Sequence, residues 1–199
     1  MKVLFNLILP FALFALASGK TIELNPGVSN LSVNLVEETG DHIVIEYQLN
    51  HFNSQKFRIN DNFYTQVSLE GEPNFLQVGA PSLPHVNRSI IIKDIGGTQF
   101  EILQSEATIL EKFKIPASKG NQPRNLDLSL VPYAEGISYS QNEFYPGELI
   151  QLNDPYILRD FRGQVVQFNP FQYNPVTEEL KVYHNLKVKI VFNERDAKN

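Results

Sequence analysis

The chain of 199 residues has no cysteine, no tryptophan and a single methionine at its start. Without thiols it forms no disulfide, offers no thiolate nucleophile and holds no thiolate-bound metal, so its stability has to come from packing. Beyond Leu16 no apolar run approaches the ~20 residues that a membrane-spanning helix needs. Charge of one sign is lacking too: 17 basic and 22 acidic residues are interspersed for a net charge of -5. That balance argues against nucleic acid and against an anionic membrane surface as partners. Sustained helical periodicity is also missing.

What is there begins with a leader. Lys2, an apolar run from Val3 to Leu16 and the small-residue pattern Ala15-Leu16-Ala17 read as a secretory signal, residues 1–17, cut after Ala17. The run is too short for an anchor and Pro10 interrupts it. Loss of Lys2 takes the net charge from -5 to -6. No cysteine stands at the cleavage point for lipid attachment, so residues 18–199 are expected free of the membrane, secreted to the periplasm or outside the cell.

Apolar residues then alternate. Leu31, Val33 and Leu35 share one parity, as do Ile43, Ile45, Tyr47 and Leu49, and Leu186, Val188, Ile190 and Phe192. Alternation of this kind marks strands with one buried face. Further strands are expected over Lys56–Asn60, Phe63–Leu69, Ser89–Lys93, Gln99–Gln104, Glu106–Lys114, Gln164–Asn169 and Leu180–Tyr183, with turn formers between them. The expected fold is all-β: an antiparallel β-sandwich, jelly-roll-like, in one domain over residues 18–199. Two segments break the pattern. Gly71–Pro84 carries three prolines, which belong in loops or at sheet edges. Residues 116–132, PASKGNQPRNLDLSLVP, are polar and non-alternating, an exposed connection of a length that is often functional.

Reactive chemistry is hard to find. His42, His51, His85 and His184 are scattered without metal-ligand spacing, and no serine sits in a nucleophile elbow. Glu37-Glu38 and Glu178-Glu179 are adjacent pairs, which on a strand point to opposite faces and do not converge on one bond. Asp41, Asp61, Asn62, Asn153 and Asp154 lack calcium-loop spacing. Asn30-Leu31-Ser32 and Asn87-Arg88-Ser89 match a glycosylation sequon, which matters only in a host that uses it. No catalytic residue, cofactor or metal is expected, and the chain does not read as an enzyme.

The densest stretch is Tyr139–Thr177. It contains Phe144-Tyr145-Pro146-Gly147-Glu148, Asp154-Pro155-Tyr156-Ile157-Leu158-Arg159-Asp160, Arg162-Gly163-Gln164-Val165-Val166 and Gln172-Tyr173-Asn174-Pro175-Val176-Thr177. With Gly79-Ala80-Pro81-Ser82-Leu83-Pro84 upstream, this text resembles the N-terminal propeptide of the gingipain family of secreted cysteine peptidases. The likeness is strong from Ser118 to Phe192, moderate from Val78 to Lys114 and weak before that. It covers a propeptide only; the family's catalytic Cys and His would lie in a separate downstream domain.

The resemblance implies an intramolecular inhibitor and folding assistant that covers the cleft of a gingipain-like cysteine peptidase domain, in cis or in trans. Ser118-Lys119-Gly120 and Val131-Pro132-Tyr133 match the family at the ends of the 116–132 loop. Arg124 falls where arginine-specific members carry an inhibitory arginine. It is the pseudo-substrate candidate, with Lys119 second and Pro123 and Asn125 as its flanks. A guanidinium can meet a pocket carboxylate through two parallel hydrogen bonds, which lysine cannot. Within the dense stretch, Arg159 and Arg162 are expected to tie loops inside the domain rather than meet a partner. Phe168, Phe171 and Tyr173 are expected in the core, and Tyr173–Thr177 in a turn between strands. The terminal NERDAKN stops short of the segment that joins such a propeptide to its peptidase, leaving a truncated precursor and a free protein both open. The alternative functions are a stand-alone secreted protease inhibitor acting in trans and a secreted adhesin or carbohydrate-binding sandwich.

Overall fold

A computed structural model of the chain describes residues 19–193. The expected signal segment, residues 1–17, lies outside the described residues. Twelve strands follow one another: β1 (Gly19–Glu23), β2 (Leu31–Glu38), β3 (His42–Leu49), β4 (His51–Ile59), β5 (Asn62–Ser68), β6 (Val86–Ile91), β7 (Thr98–Leu110), β8 (Ile150–Leu152), β9 (Tyr156–Leu158), β10 (Phe161–Phe168), β11 (Phe171–Asn174) and β12 (Glu179–Phe192). Between β7 and β8 there are only two short 3-10 turns, Leu128–Leu130 and Ile137–Ser140.

All the pairings are antiparallel, and two long strands organise them. β12 has β7 along one side for nearly its whole length, while β11 and β3 lie end to end along the other and β2 closes beyond β3. β10 has β6 along one side and β9 and β8 end to end along the other. The third sheet, β1-β4-β5, grows out of the first, because only Asn50 separates β3 from β4. The result is the expected antiparallel sandwich.

The alternating residues meet between the sheets. Ile43, Ile45, Tyr47 and Leu49 from β3 and Leu186, Val188 and Ile190 from β12 are buried in one cluster with Val166 and Phe168 from β10 and Val67 from β5. Tyr47 stacks on Phe168 with ring centroids 5.5 Å apart, and Phe52 meets Phe171 edge-on at 5.1 Å. Each such aromatic removes enough apolar surface from water to be worth roughly 1.5–3 kcal/mol. Phe168, Phe171 and Tyr173 are thus core residues. The Asn174 side-chain oxygen accepts from the Val176 and Thr177 N–H groups, 3.0 and 3.4 Å, which closes the turn into β12 as its sequence predicts.

Two expectations are modified. The strands read over Gln99–Gln104 and Glu106–Lys114 are one, β7, because Ser105 does not break pairing; two register shifts, with His184 extra on β12 and Leu103 extra on β7, keep the two strands together. Residues 116–132 are not exposed throughout: Pro116, Ala117 and Ser118 are buried. The reason is that the two irregular segments are laced to each other, as described next.

Candidate functional site

The 116–132 loop leaves the sandwich through a set of backbone bonds to the proline-rich segment before β6. Ser82 N–H donates to the Pro116 carbonyl (3.0 Å), Ser118 N–H to Ala80 (2.7 Å) and Gly79 N–H to Ser118 (3.0 Å). The Ser118 hydroxyl donates to the Phe75 carbonyl at 3.0 Å, and Tyr139 reaches the Ile115 carbonyl at 2.9 Å. Burial pushes the Tyr139 hydroxyl well above its usual range, in keeping with a donor locked in place. Irregular backbone can be buried here only because each polar group has a partner.

The returning limb is tied to the same segment. Gly136 N–H donates to the Gly79 carbonyl at 2.8 Å, and a Cβ on either glycine would meet the other's backbone at 3.0–3.1 Å. Only two glycines admit this approach, and Gly79 also has φ +80. Tyr133 then packs on Phe57 of β4 at 6.0 Å, and Tyr64 of β5 donates to Glu135 at 3.1 Å. Burial first, and then the Glu135 carboxylate, raises the Tyr64 hydroxyl above its ordinary value. Both feet of the loop therefore stand on rigid structure.

Between those feet the backbone is compact. Leu126 N–H donates to the Pro123 carbonyl at 3.0 Å, making a turn with Arg124 and Asn125 as its two central residues. Asp127 caps the short 3-10 turn at Leu128–Leu130 by accepting from Ser129 N–H at 2.9 Å. That bond, aided by the Ser129 hydroxyl and the nearby Lys119 ammonium, holds the Asp127 carboxyl below its ordinary value.

The four residues singled out in the sequence fall into two groups. Pro123, Arg124 and Asn125 form the exposed turn, and Arg124 has no ion pair, hydrogen bond or ring contact among the described residues. Lys119 is apart from them in role, half-buried at the loop's foot with its ammonium turned inward. Sequence reasoning did not pick out Tyr133, Glu135, Gly79 and Gly136 as anchors. The signals available were Tyr133 in the matching Val131-Pro132-Tyr133 end and an isolated glycine on either side of the loop. Arg162 donates to the carbonyls of Lys93 (3.1 Å) and Gly96 (2.7 Å), an internal tie as expected, while Arg159 sits in the β9–β10 turn with φ +55.

No group of three or more His, Asp or Glu converges as a metal site among the described residues, and no helix among them is long and apolar enough to cross a membrane. The sandwich uses its side chains for packing and holds out one loop, anchored at both feet, with the unpaired Arg124 in its exposed turn. Its class is that of a propeptide sandwich, distinct from a catalytic domain. The Propeptide_C25 family model matches residues 19–199, and the chain belongs to that family, the gingipain propeptides.

Among curated proteins, Gingipain R1 of Porphyromonas gingivalis is 34% identical over 171 residues, 85% of this chain. Lys-gingipain HG66 of the same species is 26% identical over 157 residues, 75% of this chain. The chain spans only 17% of the first of these proteins and 9% of the second. Among solved structures, the complex of Porphyromonas gingivalis RgpB pro- and mature domains matches with TM-score 0.76 and 28% identity, covering 84% of this chain and 90% of that one. A structure addressing zymogenic latency of gingipain K from Porphyromonas gingivalis matches with TM-score 0.74 at 19% identity, covering 88% and 99%, and shows the shared fold.

Proposed function

We propose that this domain keeps a gingipain-type cysteine peptidase latent by laying the Pro123–Leu126 turn in the enzyme's cleft, with Arg124 as pseudo-substrate, and that it assists the folding of that enzyme. The observation that carries the reading is Arg124 itself: an exposed, unpaired guanidinium at the tip of a loop whose two feet are anchored. An anchored loop loses little freedom on docking, so more of its contact energy appears as affinity. The guanidinium would meet a carboxylate at the base of the specificity pocket through two parallel hydrogen bonds. The solved RgpB complex joins a pro-domain to a mature domain, and the family relation extends that partnership to this chain as a proposal. Export through the residue 1–17 leader would bring the domain and its peptidase to the same compartment, the periplasm or the exterior.

Latency also requires that the bond after Arg124 not be cut quickly. A cleft binds its substrate extended, whereas Arg124 and Asn125 stand in a closed turn. The turn would hold that bond away from near-attack geometry.

The test is to mix purified residues 18–199 with mature arginine-specific and lysine-specific gingipain-type peptidases and measure residual activity. Inhibition of the arginine-specific enzyme is expected, weakened by roughly a hundredfold or more in Arg124→Ala, the scale of losing one partner of a buried charge pair. An Arg124→Ala domain that inhibits as tightly as the parent would sink the pseudo-substrate role. The absence of both inhibition and association with either enzyme would favour the adhesin alternative.

A further inference from the structure

The 116–132 loop contains two basic residues, Lys119 and Arg124, and they are used in opposite ways. The Lys119 ammonium donates to the Leu128 carbonyl at 2.7 Å and lies 3.9 Å from the centre of the Tyr133 ring. The Lys119 carbonyl in turn accepts from the Gln122 side-chain amide. One residue thus touches the outgoing limb at Gln122, the 3-10 turn at Leu128 and the returning limb at Tyr133. Tyr133 is itself held on Phe57, so the ammonium links the loop to the β4–β5 sheet.

A charged donor on a carbonyl and a cation over an aromatic face are among the stronger contacts available to an exposed loop. Their removal would free the segment from Asn121 to Asp127, in which Arg124 stands. Beside Lys119 the chain turns at Gly120, whose φ of +75 favours glycine and where a Cβ would run into the Val78 side chain, so no larger residue fits there.

We infer that Lys119 is a positioning residue that braces the loop so that Arg124 is presented in its turn, and that the loop is therefore addressed to an arginine-selecting pocket and not to a lysine-selecting one. This rests on the pseudo-substrate reading of Arg124. A lysine that served as pseudo-substrate would need a free ammonium, and Lys119 would have to give up both of its contacts to supply one.

The experiment compares Lys119→Met, Lys119→Arg and Arg124→Ala in the residue 18–199 domain. Three quantities are measured: inhibition of arginine- and lysine-specific peptidases, the rate of cleavage after Arg124, and amide hydrogen exchange at Leu126, Leu130 and Val131 in the free domain. Lys119→Met removes the charge and keeps the stem. It is expected to weaken inhibition of the arginine-specific enzyme by about thirtyfold, the lower end of one charge-assisted hydrogen bond plus one exposed cation–π contact. It should also be cut faster after Arg124 and exchange faster at the three amides, with Tm unchanged. Lys119→Arg keeps a cation and should stay near the parent in all three readings.

Lys119→Met that inhibits like the parent and exchanges as slowly would overturn the brace. Inhibition of the lysine-specific enzyme by the parent, lost in Lys119→Met, would overturn it differently, by making Lys119 the presented residue. Arg124→Ala separates this inference from the reading beneath it: full inhibition by that variant removes the pseudo-substrate role, while exchange in Lys119→Met still decides the brace.

Discussion

At the scale of single residues, the most consequential side chains are those whose polar atoms have nowhere else to go. His85 is one. Its Nδ1 is buried without a hydrogen-bond partner, and its ring stacks on Phe75 at 4.6 Å. Burial lowers its pKa, opposed in part by the Glu72 carboxylate. The folded state therefore keeps His85 neutral at a pH where an unfolded histidine, near 6.5, is already taking up a proton. Stability from this group is complete above the unfolded pKa and is lost as pH falls below it. Phe75 also accepts the Ser118 hydroxyl, so acid acts on the segment that anchors the loop. Urea unfolding at about pH 7.5 and about pH 5.5, either side of that ~6.5, should show a smaller acid loss in His85→Phe than in the parent. Equal losses in the two proteins would mean that the stacked histidine is not the titrating group.

At the scale of elements, the long strands were legible because a period of two survives in sequence wherever one face is buried. β3 and the second half of β12 show it plainly. β1, β8 and β9 did not show it: three to five residues on a sheet edge carry too little alternation to be told from a loop. The loop itself was legible as a break in pattern, but its anchorage was not. The bonds that bury Ser118 reach residues some forty positions away, such as Phe75, and no local signal encodes them. Lys119 was read as the second pseudo-substrate candidate, and its bracing contacts were hidden for the same reason, since Tyr133 and Leu128 come to it only through the fold of the loop. Within this element Pro123 has a distinct task. It presses Gln122 toward an extended conformation and offers its carbonyl to close the turn on Leu126. Pro123→Ala should loosen the turn and make the domain a faster-cut substrate of an arginine-specific peptidase, followed by the appearance of the fragment ending at Arg124. Cleavage at the parental rate would show that the proline does not contribute to stalling.

At the scale of the whole molecule, three sheets share one core. Phe52 of the β1-β4-β5 sheet meets Phe171 of the β12 sheet, while Tyr47 of β3 meets Phe168 of β10. With no disulfide to hold any part alone, the sheets should unfold together in a single transition. Phe168 stands at the contact between the two main sheets and is wholly buried, so Phe168→Ala should cost about 3–5 kcal/mol and lower Tm without adding a second step. The loop's contacts are made to the outer face of β4 and β5 and to the segment before β6, not to Phe168. Below its lowered Tm the variant should therefore inhibit an arginine-specific peptidase as the parent does, separating what holds the scaffold from what the scaffold presents. Calorimetry resolving two transitions, with one left where the parent melts, would contradict a shared core. Inhibition lost in proportion to stability would contradict the independence of the loop.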